Sequence, residues 1–297
     1  MTFHGLIVPL PTIFDARGEV DAAATAAFAR GVQEGGADRL FPLGSLGEFA
    51  SLTRDERRAV ISGIVEVSGA RRSVWVGTGA PSTREAVALA TEAERAGASA
   101  LVVVPPYYLH PTDLSIDRYY REIHASVEIP IYAYNIPSLV GYPLDPALVG
   151  RLAQDGVLSG IKDTSASLPS LRGFLGCGPS GFEVVPGDDV LAAPAIGLGA
   201  AGAVMGLANV LPRLAAALVA AAHRGDASAT ERLHELVEGL AFVVAGGPFP
   251  SAGKFLAAHL RGAPAGYRSP YDALTPAEER RVLDRWSVWE ARLREFR

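Results

Sequence analysis

Short runs rich in valine and isoleucine alternate with amphipathic stretches of helical length along most of this sequence, and that alternation restricts the fold more than any other feature. Eight strand–helix pairs are predicted, from Gly5–Leu10 with Asp21–Glu34 to Gly202–Gly206 with Leu211–Arg224. Strands that are each followed by a helix run parallel, with right-handed crossovers. A count of eight favours a closed (β/α)8 TIM barrel in the α/β class. An open doubly wound sheet remains the alternative, because a miscount by one pair would remove this argument.

The pattern changes after Gly225. Three helices are predicted there without strands between them, at Asp226–Ala245, Ser251–Leu260 and Pro276–Phe296. We therefore divide the chain into a barrel domain, residues 1–224, and a C-terminal helical extension, residues 225–297. The other six predicted strands are Arg39–Pro42, Ser73–Thr78, Ala100–Val104, Ile131–Asn135, Leu158–Asp163 and Phe182–Pro186.

Composition and charge exclude several functional classes. The formal net charge of −5 argues against a nucleic-acid binder, and no apolar run reaches the roughly 18 residues that span a bilayer. The stretch Met1–Phe14 lacks the pattern of a signal peptide, and the single cysteine, Cys177, has no partner for an internal disulfide. We therefore expect a cytoplasmic protein. No cluster of ligands with metal spacing is present, so no metal is expected.

One glycine motif imitates a cofactor site. The segment 197–202 reads GLGAAG and matches the G-x-G-x-x-G pattern of dinucleotide-binding proteins. That pattern must follow a strand and open a helix, whereas here it closes a predicted helix and leads into a strand. We interpret it as a tight helix-to-strand turn and expect no nicotinamide cofactor.

The two lysines are the sharpest candidates for chemistry. Only two of the 27 basic residues are lysines, Lys162 and Lys254, and the rest are arginines. Lys162 ends a predicted strand, which places its amine at the barrel mouth, where burial lowers a lysine pKa and favours the nucleophilic form. The alternative for Lys162 is a structural ion pair with Asp163 or another carboxylate. Lys254, on a helix of the extension, is expected to have a structural or surface role.

Other polar residues follow the strand ends, each with two interpretations. Tyr134 is a proton shuttle or a packed aromatic residue, and Ser45 binds a carboxylate or is an ordinary loop serine. Glu48 is a general base or a residue that complements a helix dipole. Asp188 and Asp189 bind a metal or hydroxyl groups, unless Asp189 is simply a helix cap.

Five loop motifs in register on the predicted strands resemble the dihydrodipicolinate synthase/N-acetylneuraminate lyase family. In chain order they read GSLGE, PPYY, YNIP, GIKD and GDD. The resemblance extends over nearly the whole chain, including the helical tail. It implies a homo-oligomeric barrel, a tetramer or a dimer, that acts on a 2-oxo acid such as pyruvate without metal or cofactor.

The same resemblance implies roles for single residues. Lys162 matches the lysine that forms an imine with the ketone of the 2-oxo acid. Tyr134 and Ser45 match the hydroxyl groups that relay protons, and Tyr107 matches a tyrosine that reaches the site of a neighbouring subunit. The remaining matched positions are assigned to substrate binding, namely the backbone at Ser45 and Leu46, the Val204 carbonyl, Gly187 and Asp189.

Departures from the family pattern narrow the range of possible substrates. Leu139 stands where lysine-pathway synthases carry an arginine for a second carboxylate, which disfavours dihydrodipicolinate synthesis. Val190 and Gly206 stand where sialic acid lyases carry an acidic residue and a serine, which disfavours sialic acid. Leu46 replaces a threonine of the first loop and removes one hydroxyl from the proton network.

These observations predict a Schiff-base lyase, or aldolase, that cleaves or condenses a pyruvate unit with an aldehyde. The first alternative is a dehydratase of a keto-deoxy sugar acid that uses the same lysine. The segment 47–53, GEFASLT, somewhat resembles that branch, which includes 5-dehydro-4-deoxyglucarate dehydratase. The second alternative is a non-catalytic barrel that binds 2-oxo acids.

Overall fold

A computed structural model describes residues 4–69, 73–262 and 265–297. In this part of the chain eight parallel strands form one sheet, in the order β7-β6-β5-β4-β3-β2-β1-β8. The strands are β1 Gly5–Pro9, β2 Arg39–Phe41, β3 Ser73–Gly77, β4 Ala100–Val103, β5 Ile131–Asn135, β6 Gly160–Asp163, β7 Glu183–Pro186 and β8 Gly202–Val204. The Ala201 amide, just before β8, donates to the Val184 carbonyl of β7 across 2.9 Å and so joins the two edge strands. The predicted TIM barrel is confirmed.

Each barrel strand is followed by a helix, and further helices follow the barrel. The helices are α1 Ala22–Glu34, α2 Arg54–Ser68, α3 Thr83–Arg95, α4 Asp113–His124, α5 Pro137–Val140, α6 Pro146–Gln154, α7 Leu168–Leu175, α8 Ala192–Gly197, α9 Pro212–His223, α10 Ala227–Val244, α11 Ser251–Arg261 and α12 Pro276–Leu293. Thr53 and Glu56 form a capping box at the start of α2, and Thr275 with Glu278 forms a second one at α12. The single turn of α5 was not predicted, because four residues are too few to show a helical period.

The strands are buried on both faces, which explains their continuous apolar runs. Alternate residues point outward to pack under the helices, as Leu101 and Ile161 do, while their neighbours point into the barrel. Inside, Trp75 stacks on Tyr132 with ring centres 4.0 Å apart. The barrel interior is therefore a packed core.

The glycine segment 197–202 is a helix-to-strand turn, as predicted. Helix α8 ends at Gly197, Gly199 adopts a positive φ of 104°, and β8 begins at Gly202. A side chain is disfavoured at that φ, so a glycine is needed to reverse the chain over so few residues. The segment opens no helix and lacks the order of elements that binds a dinucleotide phosphate.

The extension covers the barrel instead of standing apart from it. Arg268 reaches back to the start of α2 and donates to the Glu56 carboxylate across 2.5 Å, and Lys254 of α11 pairs with Glu48 of the loop after β2. Among residues 4–69, 73–262 and 265–297, no helix is long and apolar enough to cross a membrane. The same residues contain no group of three or more histidine, cysteine or acidic side chains arranged to hold a metal ion.

Candidate active site

A cavity of about 270 Å³ opens at the carboxyl ends of the barrel strands. We call it the Lys162 cavity. It brings together seven of the eight residues predicted for the site: Ser45, Leu46, Tyr134, Lys162, Gly187, Asp189 and Val204. The parallel register explains this convergence, because Lys162 on β6 lies directly beside Tyr134 on β5 and both strands end at the same mouth.

Lys162 lies in a largely apolar setting, with only 3% of the residue exposed. Its Nζ donates to Thr164 Oγ1 across 2.8 Å and lies 3.5 Å from the centre of the Tyr134 ring. Burial lowers the pKa of Lys162, against the opposing attraction of Tyr134 and two carboxylates. The lowered pKa makes the neutral amine, which is the form that attacks a carbonyl carbon, more accessible than on an exposed lysine.

The alternative ion pair between Lys162 and Asp163 does not describe this geometry. Successive residues of a strand face opposite sides of the sheet. The Asp163 carboxylate accepts hydrogen bonds from Asn135 Nδ2 at 2.7 Å and from Ser165 Oγ at 2.9 Å, and the Asn135 side chain in turn accepts from the Leu144 amide. Asp163 thus anchors the loop after β6, while Lys162 faces the cavity.

Tyr134 is next to Lys162 and in contact with the loop after β2. Its hydroxyl and that of Ser45 lie 3.5 Å apart and share a hydrogen bond. Burial opposes ionisation of the phenol, but the positive charge of Lys162 and the neighbouring hydroxyl groups outweigh it and lower the pKa of Tyr134. A phenol with a lowered pKa, beside both an amine and a second hydroxyl, is suited to proton transfer.

Because Gly187 has no side chain, it leaves room for the Lys162 amine. A Cβ atom built at this position would contact Thr164 Oγ1 and would lie 2.8 Å from Lys162 Nζ, closer than a methyl group can approach. The side chains of Thr164 and Lys162 therefore fill the space that a Cβ atom would need, and no special backbone angle is involved.

Asp188 and Asp189 differ in their contacts. The Asp188 carboxylate accepts from the amides of Val190 and Leu191, both at 3.0 Å, in the turn before α8. The N-cap residue of α8 is Leu191, which has no side-chain cap, so the helix cap considered for Asp189 is not present. Asp189 accepts from the Leu207 amide at 2.9 Å and faces the Lys162 cavity. Burial, opposed by that amide and reinforced by the charge of Asp188, raises the pKa of Asp189 to about 7.

Lys254 is paired inside the protein, so the surface role considered for it is wrong and the structural role holds. Its Nζ donates to Glu48 Oε1 across 2.5 Å, and both side chains are 1% exposed. Glu48 itself has a φ of 55° and links two 3-10 turns, so it is not in the first turn of a helix. The helical spacing of Lys254 from the buried residues Ser251 and Ala257 was the available signal for its burial.

Tyr107 lies outside the Lys162 cavity of this chain. Its half-buried ring packs edge to face on Phe49 with centres 6.1 Å apart, and burial raises the pKa of its hydroxyl. The adjacent Tyr108 is 90% exposed and has a φ of 78°. The role of Tyr107 in a neighbouring subunit stays a prediction.

The charged side chains that line the cavity determine which charged groups of a substrate it can bind. Leu139 contributes to the lining and is 61% exposed at the mouth, where no guanidinium is found. Within the described chain, Lys162 is the single cation among the residues that line the Lys162 cavity. A second carboxylate on a substrate would find no bidentate partner there.

Comparisons with known proteins agree with this geometry. The family model described as the dihydrodipicolinate synthetase family matches residues 2–285. An uncharacterized DapA-like lyase of Halobacterium salinarum is 38% identical over 272 residues, which cover 91% of this chain and 89% of the relative. The putative 2-dehydro-3-deoxy-D-gluconate aldolase YagE of Escherichia coli is 36% identical over 238 residues, 78% of each chain.

Solved structures show the same likeness over almost the full length. The crystal structure of YagE in complex with pyruvate superposes with a TM-score of 0.92 at 31% identity, covering 98% of this chain and 99% of YagE. Dihydrodipicolinate synthase from Aquifex aeolicus superposes with a TM-score of 0.92 at 30% identity, covering 97% and 98%. With a lysine amine at the mouth of a (β/α)8 barrel and these relatives, the chain belongs to the dihydrodipicolinate synthetase family of Schiff-base lyases.

Proposed function

We propose that this protein is an aldolase that joins or separates a pyruvate unit and an aldehyde through an imine on Lys162. The observation that carries this proposal is the position of the Lys162 amine, buried in the cavity 3.5 Å from the centre of the Tyr134 ring. YagE, which has the same fold, binds pyruvate in its crystal structure. That likeness supports pyruvate as the 2-oxo acid here.

The first half of the proposed reaction builds the imine. The neutral Lys162 amine attacks the ketone carbon of the 2-oxo acid to give a carbinolamine, and a proton from Tyr134 allows the hydroxyl group to leave as water, which gives the iminium. The substrate carboxylate binds the amides of Ser45 and Leu46, which begin a 3-10 turn and have no acceptor within it. Val204, at the end of β8, faces the cavity and positions the bound acid.

The second half uses the iminium to stabilise a carbanion. Loss of a proton from the methyl carbon gives an enamine, whose carbon attacks the aldehyde carbonyl, and the new alkoxide takes up a proton. Water then hydrolyses the iminium and frees Lys162. Tyr134 is the proposed donor and acceptor of these protons, and Ser45 extends the relay across 3.5 Å. Cleavage of a 4-hydroxy-2-oxo acid follows the same steps in reverse.

The two alternatives fit the site less well. A dehydratase of a keto-deoxy sugar diacid needs a cation for the second carboxylate, and Lys162 is already assigned to the imine. A barrel that only binds 2-oxo acids has no need for a desolvated amine in contact with a phenol of lowered pKa. The aldolase uses each of these features.

Borohydride trapping tests the proposal. Pyruvate and borohydride are expected to add one reduced adduct to the protein, which peptide mass mapping places on Lys162. The Lys162→Met variant is the control and should remain unlabelled, while the Lys254→Met variant should still be labelled. A folded wild-type protein that gives no adduct with pyruvate or with a panel of 2-oxo acids would exclude every function based on an imine.

We further propose that the protein is a cytoplasmic homo-oligomer, a tetramer or a dimer. Tyr108 and Leu109 are 90% and 76% exposed on the segment after β4, and large apolar side chains at a surface are often covered by a partner. One solved structure with the same fold is of a monomeric dihydrodipicolinate synthase variant. Light scattering coupled to gel filtration measures the mass directly, and a mass of one chain would contradict the proposal.

A further inference from the structure

A second cavity of about 300 Å³ borders the Lys162 cavity. We call this second cavity the annex. Four residues line both spaces: Leu46, Asp189, Gly206 and Phe249. The two spaces therefore adjoin at the barrel mouth, and the annex lies next to the site of the imine.

The annex wall is built from two parts of the chain. The barrel contributes Leu46, Val190 and Leu207, and the extension contributes Val244 at the end of α10 and Phe249. Phe249 is 64% exposed at the boundary of the two cavities. Because aliphatic and aromatic groups form nearly the whole wall, the annex favours an apolar ligand over a hydrated one.

Two aspartates are the only polar side chains among the described residues that line the annex. One Asp188 oxygen already accepts from the amides of Val190 and Leu191, and one Asp189 oxygen accepts from the Leu207 amide. A chain of several hydroxyl groups would lose its water and find few partners in exchange. An anionic group would meet carboxylates and no cation.

We propose that the annex binds the aldehyde half of the substrate and that this half is uncharged and apolar, an aliphatic or aromatic aldehyde instead of a sugar. The inference rests on the proposed aldolase function, which requires a second site beside the enamine carbon. The annex, which shares four lining residues with the Lys162 cavity, provides that site, and its lining decides its chemistry. Leu46 and Val190 therefore select the substrate in addition to shaping the wall.

A series of aldehydes tests the inference. Condensation with pyruvate is measured for acetaldehyde, propanal, butanal and pentanal, and for glyceraldehyde, which has as many non-hydrogen atoms as pentanal. Burial of each added methylene is expected to raise kcat/KM about fourfold. Glyceraldehyde and the anionic succinic semialdehyde are expected to react far more slowly than pentanal. A flat series, or a preference for either polar aldehyde, would overturn the inference.

A variant pair assigns the preference to the annex. Val190→Asn places an amide in the annex wall and is expected to lower the ratio of pentanal to glyceraldehyde activity about tenfold. Val288→Asn is the matched control, because Val288 is 73% exposed on α12, outside both cavities. An unchanged ratio in a folded Val190→Asn protein would also overturn the inference.

The trapping experiment keeps the two proposals apart. An adduct on Lys162 combined with no preference for apolar aldehydes leaves the imine chemistry standing and removes the proposed annex ligand. Failure to form any adduct removes both. Titration of the trapped, reduced adduct with benzaldehyde gives a readout independent of turnover, since quenching of the fluorescence of nearby aromatic residues is expected in the wild type and should be weaker in Val190→Asn.

Discussion

Lys254 of α11 donates to Glu48 across 2.5 Å in a setting where each side chain is only 1% exposed. Nζ also donates to the Gly266 carbonyl at 3.1 Å and lies 4.8 Å from the centre of the Phe14 ring. The ion pair joins the extension to the loop that carries Ser45. The loop that is proposed to bind the substrate carboxylate is thus held from outside the barrel.

This contact predicts a large loss of stability when one partner is removed. Lys254→Met leaves the Glu48 carboxylate buried without its cation and is expected to lower the free energy of unfolding by about 3–5 kcal/mol, measured by urea denaturation. Glu48→Gln combined with Lys254→Met should restore a large part of the loss. Arg292→Met, which breaks an exposed pair with Glu235, is the control and should change the free energy of unfolding far less. Equal losses for the two pairs would contradict the buried role.

Lys162 is expected to show the opposite balance of activity and stability. Its burial lowers its pKa, so an apolar side chain of similar length fits the site at no electrostatic cost. Lys162→Met should abolish aldol condensation while the melting temperature stays equal or rises. This outcome would differ from the loss of stability expected for Lys254→Met. A marked drop in the melting temperature of Lys162→Met would indicate that Lys162 has mainly a structural role.

Tyr134→Phe should slow turnover far more than it weakens binding. The variant keeps the ring beside Lys162 Nζ and removes the hydroxyl that lies 3.5 Å from Ser45. We expect kcat to fall about 100-fold or more, the range of a lost proton donor, with a small change in KM. Combining it with Ser45→Ala should add little if the two hydroxyl groups act in one relay, and fully additive losses would argue against the relay.

Asp189 predicts a specific dependence of stability on pH. Its pKa is raised from 3.8 to about 7, so between these values the folded protein holds a proton that the unfolded chain has released. The contribution of this site to the free energy of unfolding is full below about pH 4 and is lost as the pH rises to about 7. Asp189→Asn removes the titration but can still accept from the Leu207 amide. The free energy of unfolding of the wild type, measured by urea denaturation relative to that of Asp189→Asn, should therefore fall over this pH window. A difference that stays constant with pH would contradict the raised pKa.

Gly187→Ala tests how closely the Lys162 amine is enclosed. The added methyl group would lie within 2.8 Å of Nζ and would push the lysine from its place. The yield of the borohydride adduct should fall strongly while the far-UV circular dichroism stays unchanged. Gly197→Ala is the matched control, because a Cβ atom there meets nothing within 4 Å. Normal trapping in Gly187→Ala would show that the amine has more room than the geometry indicates.

Local patterns in the chain were sufficient to predict the barrel, because the hydrophobic period of each strand and helix, and the capping residues of the helices, lie within its own stretch of sequence. The Thr53 capping box, the eight apolar strand runs and the strand-end position of Lys162 depend on residues a few positions apart. The parallel register then brings Lys162 beside Tyr134, since all strands of a barrel end at the same mouth.

Contacts between distant segments were decided by the tertiary structure. The pair of Glu48 and Lys254 joins residues that are 206 positions apart, and no local pattern in the chain connects them. The annex arises in the same way, because Val190 of the barrel and Val244 of the extension share a wall only after α10 packs over the strand ends. The periodicity of a helix tells which residues are buried, but it does not tell what they are buried against, and that depends on how the elements pack in three dimensions.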